Sequence, residues 1–140
     1  MSKILFLMLF IQQTYHAQMI EKVGELHGYS QNVRKLAMAV AKQESNLRMV
    51  VGDAGKSIGL FQIKEIAARQ YCKGIATTKF ELMDVQKNIE CGYRILTTIK
   101  MRHKCTKKTL AIYNAGHSKK KLDGKYKNQK YVNQVLARLE

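Results

Sequence analysis

"AKQESNLRMVVGDAGKSIGLFQI", residues 41–63, ends an apolar stretch in a carboxyl and then turns glycine-rich. Upstream, Val33, Ala37, Val40 and Glu44 recur at spacings of four, three and four, the period of one helix face. Ser30 stands before this run as an N-cap. The spacing predicts a helix from about Ser30 that carries Glu44 on its buried stripe. A carboxylate there is costly unless it finds a partner or takes up a proton. Burial would raise its proton affinity toward the range a general acid needs near neutrality. The plainer reading is a solvated or capping glutamate, the commoner fate of this residue type.

Downstream, Asn46 to Lys56 contains Gly52, Asp53 and Gly55 and reads as a loop. A helix is expected from near Gly59 to about Tyr71, with Phe61, Ile63, Ile66 and Ala67 available for packing. Asp84 caps a longer helix in which Val85, Ile89, Gly92, Leu96 and Ile99 share a face. Gly92 costs that helix roughly 1 kcal/mol of propensity, so it is expected to let another backbone come close. A short helix from Lys107 to Tyr113 ends at "NAG", residues 114–116, and Tyr131, Val132, Val135, Leu136 and Leu139 mark a C-terminal amphipathic helix. A further short helix is expected over Met19 to Leu26. The chain has no proline and no stretch that alternates over strand length, so the fold class is all-α. Neither repeats nor linkers divide it, which indicates one domain.

Of 140 residues, 46% are hydrophobic and 25% charged, a globular composition with room for one real core. Charge is the unusual quantity: 25 Lys and Arg face 10 Asp and Glu, a formal +15. From Tyr93 to Glu140 the counts are 13 against 2. Such a surface attracts polyanions, whether nucleic acid, anionic lipid or envelope polymers, though a basic face also serves solubility alone.

At the N-terminus, Lys3 precedes eight apolar residues, Ile4 to Ile11, then polar residues and Ala17. That run is too short to span a bilayer, which takes about 20 apolar residues. It reads as a signal peptide over 1–17, with Tyr15 an imperfect residue before the cut, and with 18–140 as the mature domain. In an exported chain two of Cys72, Cys91 and Cys105 would pair; the sequence leaves all three pairings open. Their spacing contains no CxxC, so no metal site is expected.

Four blocks in this order, "ESNL…GDAGKSIGLFQI", "NIECGYRIL", "LAIYNAG" and "YVNQVL", resemble the catalytic domain of soluble lytic transglycosylases and goose-type lysozymes. The family pattern is a Glu-Ser pair, a Gly-Leu-x-Gln-Ile segment, an Asn-x-x-x-Gly helix and an Ala-x-Tyr-Asn-x-Gly segment. Here these are Glu44 and Ser45, Gly59 to Ile63, Asn88 and Gly92, and Ala111 to Gly116. Phe61 stands where the family usually has Met, and Lys64 and Glu65 replace a frequent Pro.

The resemblance implies a lysozyme-like helical fold with a cleft for peptidoglycan glycan strands and no cofactor. By position, Glu44 would be the catalytic acid and base. Ser57, Gly59, Phe61 and Gln62 would line the sugar subsites, and Tyr113 and Asn114 the opposite wall, with Tyr113 orienting Glu44 or the sugar. The expected reaction is cleavage between N-acetylmuramic acid and N-acetylglucosamine with a 1,6-anhydro product. Asp53 is a candidate second carboxylate, falling where goose-type lysozymes carry a loop Asp. It would make the enzyme an inverting hydrolase, although an Asp in a Gly-rich loop is more often a turn former. A catalytically dead wall-binding protein is the third expectation. A nucleic-acid binder would account for the charge but for none of Glu44, Gln62, Tyr113 or Asn114. The expected setting is outside the cytoplasm, periplasmic, extracellular or virion-associated, as a monomer that opens the wall for a secretion, conjugation or phage assembly.

Overall fold

A side-chain oxygen that meets a free backbone N–H favours a helix start. In the computed structural model, which describes residues 2–140, Ser2 accepts from the Leu5 N–H and starts α1 (Lys3–Leu26). Ser30 accepts from Val33 at 3.2 Å and starts α2 (Gln31–Ser45). Three two-residue strands follow, β1 (Val51–Gly52), β2 (Ser57–Ile58) and β3 (Ile63–Lys64), and then α3 (Glu65–Tyr71). Thr78 caps α4 (Lys79–Leu82), and Asp84 caps α5 (Val85–His103) by accepting from Lys87 at 2.9 Å. The chain closes with α6 (Thr106–Ala115) and α7 (Gln129–Ala137). The architecture is mostly helical with a small antiparallel sheet, consistent with the expected all-α, lysozyme-like fold.

α5 is the spine: it packs against α1, α2, α3, α4 and α6, while α7 lies on α2 and α6. Its buried face carries Ile89, Gly92, Leu96 and Ile99, the stripe expected from the sequence. These meet Leu36, Ala37, Val40 and Ala41 of α2, Leu110 and Ala111 of α6, and Val132 and Val135 of α7 in one core. The close approach at Gly92 is made by the Phe61 ring rather than by a backbone; a Cβ there would overlap the ring carbons. Cys72, just past α3, pairs with Cys91 in α5, while Cys105 is free and exposed. The disulfide thus ties the short helix after the sheet to the spine.

Residues 46–64 differ most from expectation. The predicted loop contains β1, and the helix predicted from Gly59 begins only at Glu65, after β2 and β3. Backbone sign is the cause. Asp53 (φ 52°) and Ala54 (φ 53°) form a left-handed turn closed by the Gly55 N–H on the Gly52 carbonyl, which folds β1 onto β2 with Val51 opposite Ile58. Gly59 (φ 79°) and Gln62 (φ 47°) then bend β2 onto β3, pairing Ser57 with Lys64. Right-handed helix excludes such angles, so α3 waits until both turns are complete. α6 also runs two residues beyond its expected end, to a left-handed Gly116 (φ 77°).

α1 is longer than the helix expected over Met19 to Leu26, and the expected mature start falls within it. Met1 lies outside the described residues. Leu5, Phe6, Leu7, Met8, Phe10 and Ile11 are exposed, whereas His16, Ile20 and Val23 are buried. Gln13 Nε2 donates to the Asn46 carbonyl at 2.9 Å, and His16 Nδ1 donates to that of Leu47 at 2.6 Å. Tyr93 of α5 donates to the Ile20 carbonyl at 2.6 Å. Among the described residues no helix is long and apolar enough to cross a membrane.

Candidate active site

Glu44 sits in the last turn of α2, half-buried, because Val40 and Ala41 beneath it face the core. Helix and sheet are joined at this point: the Ser45 hydroxyl, itself buried, donates to the Leu60 carbonyl at 2.8 Å. Asn46 (φ 53°) and Leu47 (φ 61°) then reverse the chain in left-handed conformation. Glu44 is therefore held from both sides, by a helix that ends on it and by a sheet bonded to its neighbour.

The sheet is anchored in turn by Asn88 of α5, which is fully buried. Its Nδ2 donates to the carbonyls of Ile58 and Leu82, both at 2.9 Å, and its Oδ1 accepts from the Phe61 N–H at 3.1 Å. Gly59 lies against the same side chain, and any Cβ there would clash with it. Gln62 holds its own turn by donating to the carbonyls of Val50 and Gly59, each at 2.9 Å.

A cavity of about 610 Å³ opens beside Glu44. Six of the residues expected at the site line it: Glu44, Asp53, Ser57, Gln62, Tyr113 and Asn114. Gly59 and Phe61 do not; both are buried behind its wall. The Phe61 ring fills the space over Gly92, and the close approach that Gly59 allows is taken up by Asn88 instead of a sugar. The apolar wall comes from Ile63, Ala67, Ile95, Ile99 and Ile112. Among the described residues, no cluster of three or more His, Cys, Asp or Glu is placed to hold a metal ion.

Two tyrosines frame the carboxyl. Tyr113 does not bond to Glu44; its hydroxyl donates to the Phe61 carbonyl at 2.6 Å and so clamps α6 to the sheet. Burial and the nearby Glu44 charge push its pKa well above the usual range, so it stays a donor. The partner of Glu44 is Tyr131 of α7, whose hydroxyl donates to Glu44 Oε2 at 3.0 Å. The sequence shows Tyr131 only as one apolar position of an amphipathic helix; its place at the head of "YVNQVL" was the available signal. Asn114 is exposed at the rim, its Oδ1 accepting from Asn128 at 3.0 Å.

Burial pushes the Glu44 pKa up to about 7, against the Tyr131 hydrogen bond and the Lys64 charge, which both lower it. A carboxyl at that level is divided between acid and base at neutrality, the condition for giving a proton and taking one back. Asp53 is exposed on its turn and is ion-paired to Lys64, Oδ2 to Nζ, at 3.1 Å. The two carboxyls thus share a cavity under opposite conditions, one desolvated and the other solvated and neutralised.

No curated protein and no solved structure gives a match to the chain. The transglycosylase SLT domain family matches residues 21–135, from the buried part of α1 through Glu44 and the sheet to Tyr131. With that match over nearly the whole described fold, the chain belongs to the SLT transglycosylase domain family, a lysozyme-like family that cleaves glycosidic bonds in peptidoglycan.

Proposed function

We propose that the protein is a peptidoglycan lytic transglycosylase that cleaves the β-1,4 bond between N-acetylmuramic acid and N-acetylglucosamine, with Glu44 as the sole acid and base. The supporting observation is the carboxyl itself: desolvated in a cavity, held by Tyr131, and raised to about 7. In this mechanism protonated Glu44 gives its proton to the glycosidic oxygen as the bond from that oxygen to C1 of the muramic residue breaks. The carbonyl oxygen of that residue's own N-acetyl group bonds to C1. The Glu44 carboxylate then takes the proton of the C6 hydroxyl, O6 attacks C1, and the temporary bond from the acetyl oxygen opens. Glu44 ends protonated as it began, and no water is consumed.

Ser57, Gln62, Tyr113 and Asn114 line the sugar subsites in this reading, and Gly59 and Phe61 support them from behind. Gln62 spends its amide N–H groups on its own turn, which leaves Oε1 to accept from a sugar hydroxyl or acetamido N–H. The enzyme works as a monomer outside the cytoplasm, with residues up to Ala17 as its export signal. Removal of that signal exchanges the Gln13 and His16 bonds to Asn46 and Leu47 for water. The biological setting is local opening of the wall for a secretion, conjugation or phage assembly.

Asp53 supports a second reading, because it lines the cavity with Glu44. If it activates a water on the opposite face of the sugar, the enzyme is an inverting hydrolase. Mass spectrometry of digested peptidoglycan decides between the two: anhydro ends are expected, and reducing ends would favour hydrolysis. No cleavage at all by the wild type, with wall binding kept in Glu44→Gln, would leave a non-catalytic wall-binding protein.

A further inference from the structure

A second cavity, of about 490 Å³, adjoins the first and shares Gln70, Tyr71, Ile99, Ile112 and Gly116 with it. Its lining is basic. Arg102 and His103 come from the last turn of α5, and His117 and Lys119 from the segment after α6; among the described residues no Asp or Glu lines it. Among the described residues none of the four makes an ion pair.

Cations at the end of α5 have a structural reason, since the last carbonyls of a helix attract them. His117 and Lys119 lie outside any helix and have no such reason. His117 Nδ1 accepts from the Lys119 N–H at 3.2 Å. With Nδ1 accepting, Nε2 carries the ring proton and is a donor. Two cationic heads and an N–H donor thus surround a space that opens onto the cavity holding Glu44.

We propose that this second cavity binds a carboxylate of the stem peptide attached to a muramic acid residue in the adjoining cavity. The inference rests on the glycan reading of the first cavity and names what the enzyme recognises beyond the sugars. Stem peptides branch from the muramic lactyl group and end in free carboxylates, so a strand lying past Glu44 carries such a group at short reach. Arg102 supplies a planar fork suited to a carboxylate and Lys119 a mobile point charge.

The test compares two substrates. One is purified glycan bearing stem peptides and stripped of attached phosphate polymers; the other is the same strands with the stem-peptide carboxyls converted to neutral amides. Two solvent-exposed charge contacts are together worth roughly a factor of five to ten. The wild type should therefore show kcat/KM higher by about that factor on strands with free stem carboxylates. Added salt should shrink the ratio, and so should the double variant Arg102→Ala with Lys119→Ala, both of whose sites are exposed. A wild type without the preference, or a double variant that keeps it, overturns the site. Binding of N-acetylmuramyl tetrapeptide, followed by calorimetry without any cleavage, separates this inference from the catalytic one. Binding lost in the double variant upholds the site even where the wild type cleaves nothing, and binding equal in both proteins overturns it.

Discussion

Tyr131 stands 87 residues from Glu44 in the chain, yet its hydroxyl donates to Glu44 Oε2 at 3.0 Å. This bond favours the ionised carboxyl and opposes the burial that raises its pKa to about 7. The first proton transfer needs Glu44 protonated, so kcat/KM should fall as pH rises through about 7. Replacing Tyr131 with Phe removes the bond and keeps the ring. A hydrogen bond to a charged group contributes about 1.5 kcal/mol or more, close to one pH unit. The alkaline limb of the Tyr131→Phe profile should move up by about that much; coincident midpoints would show that the bond does not tune the acid.

Glu44→Gln should lose activity by about 10²–10⁴-fold and gain stability at alkaline pH. The folded pKa, about 7, lies above the ordinary 4.5, so the folded state holds the proton more tightly than the unfolded chain. Stability from this group is complete below about 4.5 and is lost as pH rises through about 7. The full difference is at most roughly 3 kcal/mol, less for solvent reaching a half-buried group. Thermal melts at pH 5 should nearly coincide, while at pH 8 the variant should melt several degrees higher. A variant no more stable at pH 8 than at pH 5, relative to wild type, contradicts the desolvated carboxyl.

The frame of the site was legible in the sequence where helices are long and periodic. Ser30 and Asp84 cap α2 and α5 as expected, and the stripes containing Val40 and Leu96 face the core. Residues 46–64 were not legible, because their path depends on left-handed backbone at Asp53, Ala54 and Gln62, residue types that do not require it. Tyr131 was hidden for another reason. An amphipathic stripe shows which residues leave water but not which of them meets a buried carboxyl.

Asn88 is the joint between spine and sheet. Truncating it to Ala takes away the side-chain partner of the Phe61 N–H and one partner each from the carbonyls of Ile58 and Leu82 in the interior. Each such loss costs about 1–3 kcal/mol, so Asn88→Ala should lose on the order of 3 kcal/mol or more. Denaturant unfolding measures this directly. A loss below about 1 kcal/mol would mean that water replaces the side chain and that the sheet does not depend on it.

The Cys72–Cys91 bridge closes a loop across 19 residues of sequence. For a loop of this size the chain-entropy model gives about 3 kcal/mol. Reductant should lower the melting temperature of the wild type and leave a Cys72→Ala, Cys91→Ala variant unmoved. Cys105→Ser should respond to reductant like the wild type, since Cys105 is exposed and unpaired. Equal sensitivity to reductant with and without the Cys72–Cys91 pair would contradict this pairing.

Asp53 separates the two readings of the reaction. Its carboxyl is exposed, turned by a left-handed backbone and paired with Lys64 at 3.1 Å, so it is better placed to hold a cation than to activate water. In Asp53→Asn, Lys64 loses its counterion and acts more strongly on Glu44, whose pKa it already lowers. The alkaline limb of the activity profile should therefore move to lower pH, by a fraction of a unit, because an exposed ion pair contributes only about 0.2–1 kcal/mol. Anhydro products should persist with kcat/KM near that of the wild type. A hydrolase that needs Asp53 as its base would instead lose about 10²–10⁴-fold, with the reducing-end product vanishing from the mass spectrum. The same variant thus gives a small acid-ward shift under one mechanism and near-silence under the other.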